Sequence, residues 1–170
     1  ESFKDEMLRQ PSVRYINIES CSLTQPHPVW KYTHSSTRDI TTAIVKVKLF
    51  TGTYPLECKK THLGKDNSGL CPLCQSAIET REHFILACPK MEAVRTPYIE
   101  LFNSIVAQQF GQDMCSKNIE LYRNNRLKVI LDPSHLSQSP SFLRRAEKIT
   151  RCLCYALHHH RSAEIEAQCE

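Results

Sequence analysis

Apolar residues in the last third of the chain recur at helical spacing. Ser139-Pro140 supplies a cap followed by proline at the first helical position. Beyond it, Phe142, Ala146, Ile149, Leu153, Ala156, Leu157 and His160 fall on one side when successive residues are set about 100° apart. Arg144, Lys148, Arg151, Tyr155 and His158 fall on the other. The pattern predicts one long amphipathic helix from 140 to about 166. Thr96-Pro97 repeats the cap-and-proline signal, and Tyr98, Leu101, Phe102, Ile105, Val106 and Phe110 trace an apolar face behind it, predicting a second helix to about 110. Ile119 to Leu131 reads as helix, interrupted near Asn124-Asn125 and ended before Pro133.

Towards the N-terminus the signals shorten. Ile40, Ala43, Ile44, Val47 and Phe50 recur at three and four residues from Asp39 to the stop at Gly52, which predicts a helix, although the β-branched content leaves a strand as its rival. Phe3, Met7 and Leu8 among charges give one or two amphipathic turns before Pro11. Residues 11 to 37 form a connector around the extended run Val13 to Ile18 and the tetrapeptide His27-Pro28-Val29-Trp30, with one short strand expected in it. A short turn is expected from Pro55 to His62 and a loop from Gly64 to Gly69. The chain therefore divides into a connector (1–37), a central region (38–111) and a C-terminal helical region (112–170), with no internal repeat of 20 to 50 residues.

Composition narrows the class. A length of 170 residues suits one ordinary domain or two small ones. Hydrophobic residues make up 41%, enough to build a core, and with 4 Gly and 9 Pro neither collagen-like nor low-complexity behaviour is expected. No apolar run approaches the ~20 residues that span a bilayer, so no membrane segment is expected. The balance of 22 Lys+Arg against 18 Asp+Glu gives +4, which permits a polyanionic partner without demanding one. Nine Cys is an odd number and a fraction below the 8–10% of disulfide scaffolds, so thiols or metal ligands are expected rather than bridges. No basic segment followed by an apolar one opens the chain, which fits a reducing, intracellular compartment. A first residue of Glu1 rather than Met suggests a slice of a longer chain.

The densest chemistry lies between residues 70 and 90. Cys71-Pro72-Leu73-Cys74, then His83, then Cys88 reads C-x2-C-x8-H-x4-C, three soft thiolates and an imidazole at zinc-finger-like spacing. Thr80 is placed to cap a short helix bearing His83. Residues five apart on an α-helix lie about 140° apart around its axis, so His83 and Cys88 share a metal only if the helix breaks between them. Pro89 disfavours helical geometry at Cys88 and supplies that break. With four protein ligands no coordination position remains for water, so the expected Zn2+ is structural. Cys58 and His62 offer a rival tetrad with Cys71 and Cys74. The fold class expected from the whole pattern is mostly α, a small helical domain with an inserted CCHC zinc knuckle containing a short hairpin.

The cluster and its surroundings, Val47-Lys48-Leu49-Phe50-Thr51-Gly52-Thr53-Tyr54-Pro55-Leu56 ahead and Glu82-His83-Phe84-Ile85-Leu86-Ala87-Cys88-Pro89 behind, resemble the zinc-binding region that follows the polymerase domain in LINE-type (non-LTR) retrotransposon reverse transcriptases, closest to the jockey-like elements. The resemblance covers about residues 40 to 100, and more loosely the stretches around His27-Pro28-Val29-Trp30 and Cys152-Leu153-Cys154-Tyr155. It implies that Cys71, Cys74, His83 and Cys88 are the metal ligands. It further implies a role in holding template RNA or single-stranded or target DNA during target-primed reverse transcription, beside an upstream polymerase domain of the same polyprotein. A cytoplasmic and nuclear ribonucleoprotein would be its setting. The chain departs from the whole family in lacking any Asp-Asp pair, which the polymerase needs for its two catalytic metal ions. Asp132-Pro133 reverses the Pro-Asp of the related endonuclease, and no acidic-x-Lys pair follows it. No catalytic residue, polymerase or nuclease activity is expected of this segment.

Arg81 and Lys90 are candidates for phosphate contacts, with Leu73, Ile78 and Phe84 nearby either as a surface for base stacking or as a small core around the metal. The helix face of Arg144, Lys148 and Arg151 (with Tyr155 and His158) offers a second basic track, and Lys46, Lys48, Lys59 and Lys60 a third; a solvated surface explains both equally. Cys152 and Cys154 lie about 200° apart on a helix and are expected in the core rather than on one ion. Cys154, four residues before His158, and the run His158 to His160 are read as carrying no metal. Cys21, Cys115 and Cys169 have no visible partners. The rival class is a zinc-stapled structural or protein-interaction module that docks through the apolar faces of the helices at 97–110 and 140–166 and does not bind nucleic acid.

Overall fold

The computed structural model describes residues 10, 13–21, 24–60, 68–111 and 117–168. The turns expected around Phe3, Met7 and Leu8, along with His62, most of the 64–69 loop, Cys115 and Cys169, lie outside the described residues. The chain is mostly helical. Its helices are α1 (Pro28–Lys31), α2 (Thr37–Thr51), α3 (Glu57–Lys60), α4 (Glu92–Phe110), α5 (Lys117–Asn124), α6 (Arg126–Leu131) and α7 (Pro140–Ala167). There is no strand among the described residues, and the expected hairpin reduces to one antiparallel bridge between Leu70 and Ile78. Among the described residues no helix is long and apolar enough to cross a membrane.

Local chemistry sets the helix ends. Ser36 Oγ accepts from the Asp39 N–H at 3.3 Å to open α2, and Gly52 closes it with φ 74°, where a side chain would be strained. The segment is thus a helix and not a strand. Its buried face differs from the expected one: Thr42, Ala43, Val45, Lys46, Leu49 and Phe50 turn inward, while Ile40 and Ile44 are each 40% exposed. The reason is Lys46, whose ammonium donates at 2.7 Å to Glu147 Oε2 and at 2.7 Å to Thr150 Oγ1 of α7. A buried ion pair fixes the rotation of α2 that hydrophobicity alone would set otherwise. Lys46 accordingly leaves the basic surface group expected of it.

Helix α4 starts four residues before the expected cap. It runs on from the tight turn Pro89–Met91, so Pro97 lies inside the helix rather than at its start. The break at Asn125 between α5 and α6 and the stop before Pro133 fall as the sequence indicates.

At about 1.5 Å per residue, α7 is roughly 42 Å long, and it packs along both α2 and α4 while α1 and the turn Pro133–His135 close against its first half. One apolar cluster extends from Tyr15 through Val45, Leu49, Phe84, Phe102, Ile130 and Phe142 to Leu157, so all three sequence segments contribute to a single core. Burial on α7 is wider than one stripe. Phe142, Ala146, Leu153 and Leu157 are buried as expected, but so is Arg151 from the face expected to be solvated. Arg151 Nη1 donates to the Val29 carbonyl at 3.3 Å and to Thr33 Oγ1, and Nη2 donates to the Tyr32 carbonyl at 3.0 Å, which ties α1 to α7.

Candidate metal centre

The loop that carries the cysteines is folded by its own backbone. The Gln75 N–H donates to the Cys71 carbonyl at 2.9 Å, closing a turn that places Gln75 at φ 53°, and the Cys71 N–H donates to the Ala77 carbonyl at 2.8 Å. The Glu79 N–H then reaches the Gly69 carbonyl at 2.9 Å, so the chain doubles back. As expected, Thr80 caps the turn that bears His83: its Oγ1 accepts from the His83 N–H at 3.0 Å.

The geometric conflict between His83 and Cys88 is resolved by a widened turn. Residues His83–Ala87 form a π-helical turn in which the Cys88 N–H donates to the His83 carbonyl at 2.7 Å. An i→i+5 ring brings residues five apart round to the same side, as the ordinary ring does for residues four apart. Cys88 itself is extended (φ −61°, ψ 121°), as its position before Pro89 requires. Its carbonyl accepts from Arg95 Nη2 at 2.9 Å, which anchors the turn to α4.

The result is a compact donor set. Cys71 Sγ, Cys74 Sγ, a His83 ring nitrogen and Cys88 Sγ all lie within 4.8 Å of one another, close enough to bind a metal ion. Cys71 and Cys88 Sγ are 3.8 Å apart, and Cys74 Sγ is 3.3 Å from His83 Nε2. Cys71, His83 and Cys88 are buried, while Cys74 is partly open. Burial pushes the Cys71 thiol up to about 12 and raises Cys88 as well. Burial also opposes ionisation of Cys74, but hydrogen bonds from the Ser76 hydroxyl and backbone, Cys71 and His83 outweigh it and bring that thiol down to about 6. Three sulfurs this close carry charge together only with a cation among them. Of the rival tetrad, Cys71 and Cys74 converge with His83 and Cys88, while His62 lies outside the described residues.

A second layer, not signalled by the sequence, fixes the loop to the helices. Glu79 is fully buried, and its carboxylate accepts from Arg161 Nε at 2.7 Å and Nη2 at 2.8 Å and from the Glu57 N–H at 2.8 Å. Tyr54 stacks on Phe84 with centroids 5.4 Å apart and shares a 2.8 Å hydrogen bond with His158 Nδ1. Burial first, and the Glu79 carboxylate against the opposing pull of Arg161, hold the Tyr54 hydroxyl up at about 12. His158 is therefore a partner of Tyr54, and it joins no cluster of metal-ligating side chains among the described residues. Cys154 packs in the core, as expected, whereas Cys152 is only partly buried and does not join it. Glu79 and Arg161 are 82 residues apart, and no periodicity or motif links them.

The basic candidates differ in exposure. Lys90, Arg144 and Lys148 are exposed, with Arg144 5.9 Å from the centroid of Tyr32. Arg81 is half-buried, donating from Nη1 to the carbonyls of Leu49 (3.3 Å) and Phe50 (3.2 Å). Arg151 is withdrawn from the set because its guanidinium is buried among backbone carbonyls. Leu73 and Phe84 are buried and serve the core around the centre, whereas Ile78 is 47% exposed and remains open to a ligand. Comparison with models of known protein families, with curated proteins and with solved structures gave no match.

Proposed function

We propose that this chain is a non-catalytic, zinc-binding C-terminal segment of a retrotransposon reverse transcriptase that contacts template RNA or target DNA. The observation that carries the reading is the convergence of three sulfurs and one imidazole nitrogen. Two sulfurs about 2.3 Å from one tetrahedral centre sit about 3.8 Å apart, and Cys71 and Cys88 have that separation. Soft thiolates with one imidazole suit zinc, and a closed set of four protein donors leaves no position for substrate, which makes the role structural. Bound there, the ion supplies folding free energy, on the order of 10–16 kcal/mol in small finger peptides.

The remaining work belongs to the chain. Thr80 and Arg95 orient His83 and Cys88, Glu79 joins the loop to α7 through Arg161, and the turn Pro89–Met91 and α7 present Lys90, Arg144 and Lys148 to solvent. Those cations suit a phosphate backbone. The resemblance of residues 47–56 and 82–89 to the region behind the polymerase supports the choice of parent protein. The competing reading, docking of another protein through the apolar faces of the helices at 97–110 and 140–166, loses ground because Phe102, Ile105 and Val106 of α4 and Phe142, Ala146 and Leu153 of α7 are already buried, with the two helices packed together.

The test is metal analysis of the purified protein followed by fluorescence anisotropy with single-stranded RNA and DNA at low and moderate salt. One zinc per chain is expected, with salt-sensitive binding weakened by chelation and by Cys74→Ser. A metal-free, folded protein, or no binding of either nucleic acid at low salt, refutes the proposal.

A further inference from the structure

Away from the four ligands, three cations line one cavity, and none of them is paired with a carboxylate among the described residues. The cavity has a volume of about 430 Å³ and is lined by Arg14, Tyr15, Leu56, Lys59, Arg81 and Glu82, among others. That volume lies within the ~300–1,000 Å³ of ligand clefts. The Arg81 guanidinium carbon lies 4.4 Å from the centroid of the Tyr15 ring and that of Arg14 lies 4.6 Å from the same centroid. Arg14 Nη2 also donates to the Tyr15 hydroxyl. Lys59 Nζ and Arg81 Nη1 meet at the end of α2, 3.5 and 3.2 Å from the point that a Cβ on Gly52 would occupy.

Among the described residues, none of the three cations comes within ion-pair distance of a carboxylate, not even of Glu82, which lines the same cavity. Arg81 uses Nη1 on the Leu49 and Phe50 carbonyls, and its Nε and Nη2 make no hydrogen bond among the described residues. The negative end of α2 explains why Arg81 and Lys59 gather there. It does not explain Arg14, which belongs to a separate segment and adds a like charge on the same ring.

We propose that Arg14, Lys59 and Arg81 form a binding pocket for a phosphate group. Two guanidinium forks held against one aromatic ring present planar pairs of donors to phosphate oxygens, and a lysine ammonium adds a point charge. The group is either a backbone phosphate of a bound nucleic acid or free phosphate; only the first source rests on the function proposed above.

The experiment uses the full, zinc-loaded chain. Inorganic phosphate is titrated while amide resonances are followed by NMR, in the parent protein, in Arg14→Gln/Lys59→Gln, whose two side chains are both exposed, and in Lys31→Gln, an exposed lysine outside the cavity, as a control. Saturable shifts are expected at Tyr15, Gly52 and Arg81, kept in the control and lost in the double variant, whose other resonances stay in place. In a second arm, labelled single-stranded RNA should bind the double variant about tenfold or more weakly, the reduction expected when charge-assisted hydrogen bonds are removed. Its salt dependence should flatten by about 0.7 for each phosphate that is no longer neutralised. RNA binding that is unchanged in the double variant, alongside abolished phosphate shifts, identifies free phosphate as the ligand and supports the pocket. Phosphate shifts in a protein that binds no RNA leave the pocket standing while the proposed function fails. No shifts with phosphate, or shifts undiminished in the double variant, overturn the proposal.

Discussion

Replacing Arg161 by Met removes one partner of a buried ion pair and leaves the other in place. Glu79 is fully buried and Arg161 is 7% exposed, joined by two parallel hydrogen bonds of 2.7 and 2.8 Å. After Arg161→Met, the Glu79 carboxylate keeps only the Glu57 N–H, so charge is stranded in the interior. Breaking a buried pair from one side costs about 3–5 kcal/mol, against a total of about 5–15 kcal/mol for a domain of ordinary stability. Because Glu79 lies in the loop between Cys74 and His83, the strain falls on the candidate metal centre as well. Removal of comparable supporting groups lowers metal affinity by about 10- to 100-fold. The assay is urea unfolding of the metal-loaded protein followed by helical circular dichroism, paired with competition against a chelator of known zinc affinity. The double variant Glu79→Leu/Arg161→Met should recover most of the missing stability, since an apolar pair replaces a satisfied ionic one at little net cost. The part not recovered is the acceptor for the Glu57 N–H, about 1–3 kcal/mol. If Arg161→Met changes stability by less than about 0.5 kcal/mol, the level of an ordinary surface substitution, then Glu79 is not held as an ion pair and the coupling of loop to helix is refuted.

Three further outcomes are expected. Burial pushes the Asp132 carboxyl up, but hydrogen bonds and charge from His27, together with the Asn17 N–H and Ser134, prevail and hold it well below its ordinary value of 3.8. The folded-state value is therefore depressed, so its stabilisation is complete above about 3.8 and disappears as pH falls through the folded value; Asp132→Asn should remove that part of the acid-unfolding curve. Gly52→Ala forces a side chain into φ 74° and against Arg81 Nη1 at 3.2 Å, so thermal unfolding should show a decrease of about 1–2 kcal/mol. Arg151→Met should lower stability and leave the salt dependence of oligonucleotide binding unchanged, whereas Lys148→Gln should keep stability within about 0.5 kcal/mol and reduce that salt dependence.

Much of the framework was legible in the residues themselves because short-range rules govern it. Gly52, Asn125, Pro133 and Ser139-Pro140 end or begin helices through backbone geometry that needs no distant partner. The four donors of the candidate metal centre were legible for a similar reason: ligand spacing is a local code, and Pro89 signals that Cys88 leaves the helix. Pro97 misled, because a proline signal marks a helix start only where nothing upstream continues the helix, and here the turn Pro89–Met91 does.

The residues by themselves therefore determined the helical content, most of the helix boundaries and the four side chains that converge at the candidate metal centre. Only the tertiary structure decided which face of α2 turns inward, that Lys46 and Arg151 are interior cations rather than surface ones, and that Glu79 and Arg161 lock the loop to α7. Each of those depends on a partner more than 80 residues away. Charge written in a sequence carries no mark of burial, and a lysine or arginine enters the core only when folding brings a carboxylate or a row of carbonyls to meet it.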